Sequence, residues 1–244
     1  MASPLEQFTI VPIIDIEVAD IDISFTNSSL WMAITAAVLV IFMVVSTQRR
    51  ALVPGRLQAL VEYFYQIIAD MVRDNVGSQG RPYFPFIFSL FMFILFGNLL
   101  GLIPGAFTFT SHLAVTFAMA AFIFVGVTII GLVTHGFKFF SLFFPHGAPI
   151  VSAPVLIPIE IISYFSRPIS LSVRLFANMT VGHVLLKVIG GGVVALGGFW
   201  VLPGLLPLAF LIAITLLEVM IAVIQAYVFA ILTCVYLNDA LHLH

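Results

Sequence analysis

Apolar runs long enough to cross a bilayer recur along this chain, and nothing in it constrains the fold more. A hydrocarbon core of about 30 Å takes about 20 helical residues. Runs of that length or near it extend from about Leu30 to Thr47, Phe84 to Ile103, Leu113 to Val133, Ile150 to Ile189 and Leu205 to Leu237. The last two exceed an upright crossing, so strong tilt is expected of them. Lipid offers no partner to backbone N–H and C=O groups, which leaves helices or closed barrels, and these runs lack the alternation of a barrel strand. The expected fold class is therefore all-α: a polytopic membrane protein with five membrane-embedded helices, the last two long, tilted and antiparallel, plus one interfacial amphipathic helix. Composition agrees, since 62% of the 244 residues are hydrophobic and 8% charged, against about 25% charged in soluble domains.

The segments between the runs divide the chain further. Residues 1–29, with Asp15, Glu17, Asp20 and Asp22, read as a short extramembrane arm too polar for a signal-peptide core, and residues 30–244 as one membrane domain. Pro54 suits a first helical turn, and Leu57, Leu60, Val61, Phe64, Ile67, Ile68 and Met71 recur behind it at helical spacing. With Glu62, Gln66, Asp70 and Arg73 on another face, an interfacial helix over about 54–76 is predicted. Gly190, Gly191, Gly192, Gly197 and Gly198, followed by Pro203, predict a tight reversal between the paired helices of about 150–189 and 205–237. Arg49, Arg50, Arg56, Arg73 and Arg81 share one loop and Lys138 lies in another, whereas the loops near Phe107 and Leu196 carry no Lys or Arg. That bias places the N-terminus outside and the C-terminus in the cytoplasm, with Trp31 and Trp200 at the outer interface. No transit segment precedes the first span, so a bacterial inner membrane is the expected location.

Several function classes have nothing to rest on. A formal charge of −2 offers no basic excess for nucleic acid. The lone Cys234 lies in an apolar run and reads as packing. His112, His135, His146, His242 and His244 fall near interfaces or termini, where solvation is expected, and their spacings suggest no metal site. An intramembrane hydrolase would need H-E-x-x-H or G-x-S-x-G, and neither occurs. No cofactor motif is visible. A self-contained secondary transporter, the remaining alternative, would usually show two related halves, and none is seen.

Chemistry should sit where charge lies at membrane depth, because an ionised side chain there costs about 2.5 to 3.5 kcal/mol on insertion scales. Glu160, Arg167, Arg174 and Lys187 lie in the fourth run and Glu218 in the fifth. Glu160, Arg167 and Arg174 recur every seven residues and drift only about 20° per step, so with Ser163 and Ser170 they form a polar seam, beside which Pro168 predicts a kink or a shifted hydrogen bond. If the last two runs pair antiparallel, Arg174 lies at about the depth of Gln225, and His183 and Glu218 then share a level, roughly 13 and 10 Å further out. Glu160 falls roughly 21 Å away on the cytoplasmic side. A histidine and a desolvated glutamate can load and release protons near neutral pH, whereas an arginine stays charged and acts as a barrier. Protons must then enter on one side of Arg174, leave on the other, and be carried between by something outside the chain. Structural alternatives exist: an ion pair of Arg174 with Glu160 or Glu218, cavity lining by Arg167, snorkelling by Lys187, and helix–helix hydrogen bonds from Asn98 and Gln225.

The stretch SLSVRLFANMTVGH from Ser170 to His183 closely resembles the subunit a family of F-type ATP synthases. PIEIISYFSRP around Glu160, GNLLGLIP around Asn98 and LEVMIAVIQAYVFAILTCVYL from Leu217 continue the resemblance, which is weakest before Trp31. It implies a stator subunit, without a catalytic site or cofactor of its own, beside a rotating ring of c subunits that each bear one membrane carboxylate. It also implies peripheral-stalk b subunits and the rest of the synthase as partners. In that family the arginine matching Arg174 is essential, and Asn178, His183, Glu218 and Gln225 match positions associated with the proton path. Many bacterial relatives place a carboxylate where His183 stands and a histidine where Glu218 stands; this chain has the exchanged pair, as mitochondrial-type members do. The expected mechanism has two offset half-channels: entry past Asn98, His183 and Glu218, release along the Glu160 side, and Arg174 preventing a direct leak.

Overall fold

The computed structural model describes residues 9–15, 17–18, 21–22, 24–48, 51, 53–103, 105–143, 153–197 and 201–242. Asp20, Arg49, Arg50, His146, Ile150, Gly198, Trp200 and His244, which entered the expectations above, lie outside them. Among the described residues the chain is all-α apart from two short antiparallel ladders in the N-terminal arm. In these, β1 (Pro12–Ile14) pairs with β4 (Phe25–Thr26), and β2 (Glu17–Val18) with β3 (Ile21–Asp22). The helices are α1 (Asn27–Thr47), α2 (Arg56–Val76), α3 (Phe84–Gly101), α4 (Leu113–His135), α5 (Ala153–Gly197) and α6 (Val201–Leu241). Five spans among the described residues are long and apolar enough to cross a membrane, which makes this an all-α polytopic membrane protein.

Local chemistry accounts for the element ends. Thr26 caps α1, its hydroxyl accepting from the Ser29 N–H at 3.4 Å, which satisfies a donor the first turn would orphan. In α2, Val61, Ile68, Met71, Val72 and Val76 form the buried stripe, whereas Leu57 and Leu60, expected on the same face, are exposed. A 3-10 turn over Gly77–Tyr83 follows, begun by Gly77 at φ 73°, a left-handed conformation that a side chain resists.

Both paired helices run past their predicted bounds of about 189 and 205 into the stretch Gly190–Pro203 that predicted the reversal: α5 continues through Gly190, Gly191 and Gly192 to Gly197, and α6 starts at Val201. A glycine costs a helix interior about 1 kcal/mol, less than the several kcal/mol for each backbone polar group left unsatisfied in lipid. For the same reason α5 remains one helix across Pro158 and Pro168. Pro203 occupies the first turn of α6, where its missing N–H is no loss.

Contacts divide the chain into two compact units. The first comprises Met1–Arg49, Met92–Leu113 and Leu175–Tyr227, and the second Arg50–Phe91, Ala114–Arg174 and Val228–His244. Ile94, Leu95, Phe109, Met179, Ala222 and Ala226 are fully buried in the first. Ile68, Ile87, Ile123, Leu171, Phe229 and Cys234 are their counterparts in the second, with the Cys234 thiol free and packed as expected. The outward faces of α5 and α6 remain apolar, with Ile162, Val181, Leu216 and Met220 exposed.

Candidate functional site

In the first unit α5 and α6 run antiparallel, so that the sequence numbers of facing residues sum to a near-constant value. Asn178 donates from its amide to Gln225 Oε1 at 2.8 Å, and His183 Nδ1 lies 3.9 Å from Glu218 Oε1. The expected shared level of His183 and Glu218 is therefore present. The partner of Gln225 is Asn178, one helical turn beyond Arg174 in the sequence.

Glu218 is 1% exposed, and neither of its carboxyl oxygens has a hydrogen bond among the described residues. Its closeness to α5 depends on Gly182, because a Cβ there would run into Glu218 Oε1 and lie 2.9 Å from its Cγ and Cδ. On the far side of the imidazole, His183 Nε2 and the Thr108 hydroxyl are 2.8 Å apart, and the same hydroxyl lies 3.1 Å from the Gly101 carbonyl oxygen.

Thr108 stands in a connection buried against the helices: Phe107, Thr108, Phe109, Thr110 and Ser111 are all under 9% exposed. Ser111 Oγ donates to the Thr108 carbonyl at 2.6 Å, and Thr180 Oγ1 to the Ser111 carbonyl at 3.2 Å. A cavity of about 430 Å³ opens onto this corner, with Gly101, Thr108, His183, Lys187, Gly190 and Leu211 among its lining. Asn98 is wholly buried and donates from Nδ2 to the Ala222 carbonyl at 3.3 Å, while its Oδ1 has no hydrogen-bond partner among the described residues. Gln225 Nε2 is likewise buried without one. The structure thus gathers Asn98, Asn178, His183, Glu218 and Gln225 into one unit, in which Asn98, Glu218 and Gln225 keep buried polar atoms without a hydrogen-bond partner among the described residues and His183 lines the cavity.

Arg174 and Glu160 fall in the second unit. Arg174 is exposed on α5, and no carboxylate lies within ion-pair distance of it among the described residues; Glu160 is half-buried and also unpaired in that sense. The structural ion pair weighed for Arg174 is thus absent among the described residues. Arg167 is different: Nη1 meets Asp239 Oδ2 at 2.8 Å, and its guanidinium lies over the rings of Tyr164 and Tyr236. Tyr164 in turn shares a 2.7 Å hydrogen bond with Thr128.

Two of the histidines expected in solvent are partly covered. His112 stacks on Phe107 with ring centroids 5.0 Å apart, and burial lowers its pKa below the ordinary imidazole value. His135 Nε2 lies 3.0 Å from the Leu241 carbonyl oxygen, while His242 stays exposed against Asn238. No group of three potential metal ligands occurs among the described residues.

Thr108, Gly182 and Asp239 escaped the sequence reading. The signal for the first is the polar run Thr108, Thr110, Ser111 between two apolar spans. For Gly182 it is a small residue beside a candidate proton carrier, and for Asp239 the only acidic residue in the last turns of α6.

A family model described as ATP synthase A chain matches residues 29–238. The chain is 61% identical over its full length to the whole of ATP synthase subunit a from Paramagnetospirillum magneticum. It is 57% identical, again with both chains fully covered, to ATP synthase subunit a from Rhodospirillum rubrum. Against the protein of that name from Pelagibacter ubique it is 52% identical over 99% of this chain and 98% of the relative.

Proposed function

Because the chain belongs to the ATP synthase A chain family, we propose that it is the stator proton channel of an F-type synthase, built as two offset half-channels that load and unload carboxylates on a neighbouring ring of c subunits. The peripheral-stalk b subunits and the remaining synthase subunits are its other partners. The setting is a bacterial inner membrane, with the N-terminus outside and the C-terminus in the cytoplasm. Residues 1–29 form the extramembrane arm, and α2 lies in the cytoplasmic interface.

One observation carries this reading. Arg174 is exposed on a membrane-spanning helix without a carboxylate partner among the described residues. A permanent cation in lipid costs about 2.5 to 3.5 kcal/mol or more unless a counter-charge is supplied, so the chain requires an acidic partner from outside. A ring carboxylate passing in its ionised state meets that requirement, and the fixed guanidinium then bars protons from crossing directly.

On the entry side, water in the cavity reaches His183. The pair of His183 and Glu218, with Asn98 lining the approach and the Asn178–Gln225 amide pair nearer Arg174 in sequence, passes the proton to a ring carboxylate. Neutralised, that carboxylate turns into lipid and returns after nearly a full revolution, to release its proton along the Glu160 side. The membrane potential drives the cycle with roughly 2.3 kcal/mol per charge per 100 mV. Arg174→Ala in the assembled synthase should stop ATP synthesis while the complex still assembles. Normal coupled synthesis in that variant would overturn the assignment.

A further inference from the structure

We infer that Thr108 is a positioning residue that holds neutral His183 as its Nε2–H tautomer, so that the Nδ1 lone pair faces Glu218 and exchanges a proton with that carboxyl. This rests on the half-channel reading above and deepens it. A hydroxyl owns one proton, and Thr108 Oγ1 stands between two candidates for it, the Gly101 carbonyl oxygen at 3.1 Å and His183 Nε2 at 2.8 Å.

The carbonyl cannot donate. Were the hydroxyl proton given to the imidazole, two buried oxygens would face each other with nothing between them, and an unmade buried hydrogen bond costs more than a made one gains. The arrangement that satisfies every atom has Thr108 donating to Gly101 and accepting from Nε2–H of His183. A neutral imidazole with its proton on Nε2 has a lone pair on Nδ1, and Nδ1 is the atom turned toward Glu218 Oε1.

The 3.9 Å between them is about 1 Å beyond hydrogen-bonding range, which a small side-chain rotation closes. Protonated Glu218 then gives its proton to Nδ1, leaving a carboxylate and an imidazolium that still donates from Nε2 to Thr108, and the reverse step restores both neutral groups. One proton is shared, and His183 takes it up and gives it back at the same nitrogen.

Two further details support the lock. Gly101 is the last residue of α3, where carbonyls lack helical partners. Its missing side chain also lets Thr108 approach, since a Cβ there would lie 2.7 Å from both Thr108 Oγ1 and Cγ2. The charged side chains that face the imidazole among the described residues are Glu218 from α6 and Lys187 one turn along α5, while the buried connection contributes the hydroxyl.

The test uses the assembled synthase in inverted membrane vesicles. With 15N-labelled histidine, the His183 ring is assigned by difference against H183N, and proton uptake is followed against pH. The wild-type ring should carry its proton on Nε2. T108S should keep that tautomer and the wild-type pH profile. T108V and G101A should populate the Nδ1–H form, which donates to the ionised Glu218 and favours that state. Uptake should fall several-fold, and the pH at which it declines should move lower. A wild-type ring protonated on Nδ1, or an unchanged tautomer and profile in both T108V and G101A, would overturn the inference. E218Q separates the two levels: loss of uptake there with no effect of T108V defeats the tautomer lock alone, whereas normal uptake in E218Q defeats the half-channel reading itself.

Discussion

Replacing Gly182 by alanine probes the closest approach in the site. The new methyl carbon would overlap Glu218 Oε1 and sit 2.9 Å from Cγ and Cδ of the same side chain, inside the spacing that packed carbons adopt. Glu218 is 1% exposed, so its carboxyl has no open solvent to swing into. Either α5 and α6 separate or the carboxyl shifts by about 1 Å, and overpacking of this kind costs about 1 to 3 kcal/mol. If that strain falls on the geometry facing His183, its population drops about 5- to 150-fold, at tenfold per 1.4 kcal/mol. Proton uptake by vesicles holding the assembled G182A synthase should fall within that range, with subunit content checked by immunoblot. Shortening the acid in G182A/E218D withdraws the colliding atoms by one methylene and should restore part of the rate, more than E218D retains alone. Wild-type uptake in G182A, or a double variant slower than both single ones, would refute the packing argument.

Two other perturbations address the second unit and the buried connection. Asp239→Asn leaves the half-buried Arg167 without its carboxylate and should lower the stability of the detergent-solubilised protein by about 1 to 3 kcal/mol. The exchange R167D/D239R should recover part of that loss in thermal unfolding. His112, lowered by burial, binds a proton more readily unfolded than folded, so its contribution to stability is complete above the ordinary imidazole pKa of about 6.5 and is lost as pH falls below it. The unfolding midpoint should decline as pH falls below about 6.5, and H112F, which retains the stacking on Phe107, should flatten that decline.

Much of the architecture followed from the chain's own pattern. Span length and polarity fixed the helix count, because in lipid each backbone group must find its partner within its own helix and no local alternative competes. The facing of His183 and Glu218 was likewise within reach of arithmetic, since two antiparallel helices with the same rise keep their register over many residues. The glycines at 190–192 set the predicted end of α5 too early for a related reason: turn preference is a weak local term, and the backbone's demand for internal hydrogen bonds outweighs it.

What periodicity leaves open is which atoms meet across elements. That Thr108 enters from a connection to meet His183, that Gly182 admits Glu218, and that Arg167 finds Asp239 while Arg174 finds no carboxylate among the described residues all depend on contacts far apart in the sequence. Such contacts turn on distances of an ångström or less, set by the packing of several helices together, whereas helix formation in lipid depends on each segment by itself. Sequence alone thus named the groups proposed to carry or block a proton; tertiary packing decided which of them are buried, paired or left open to a partner.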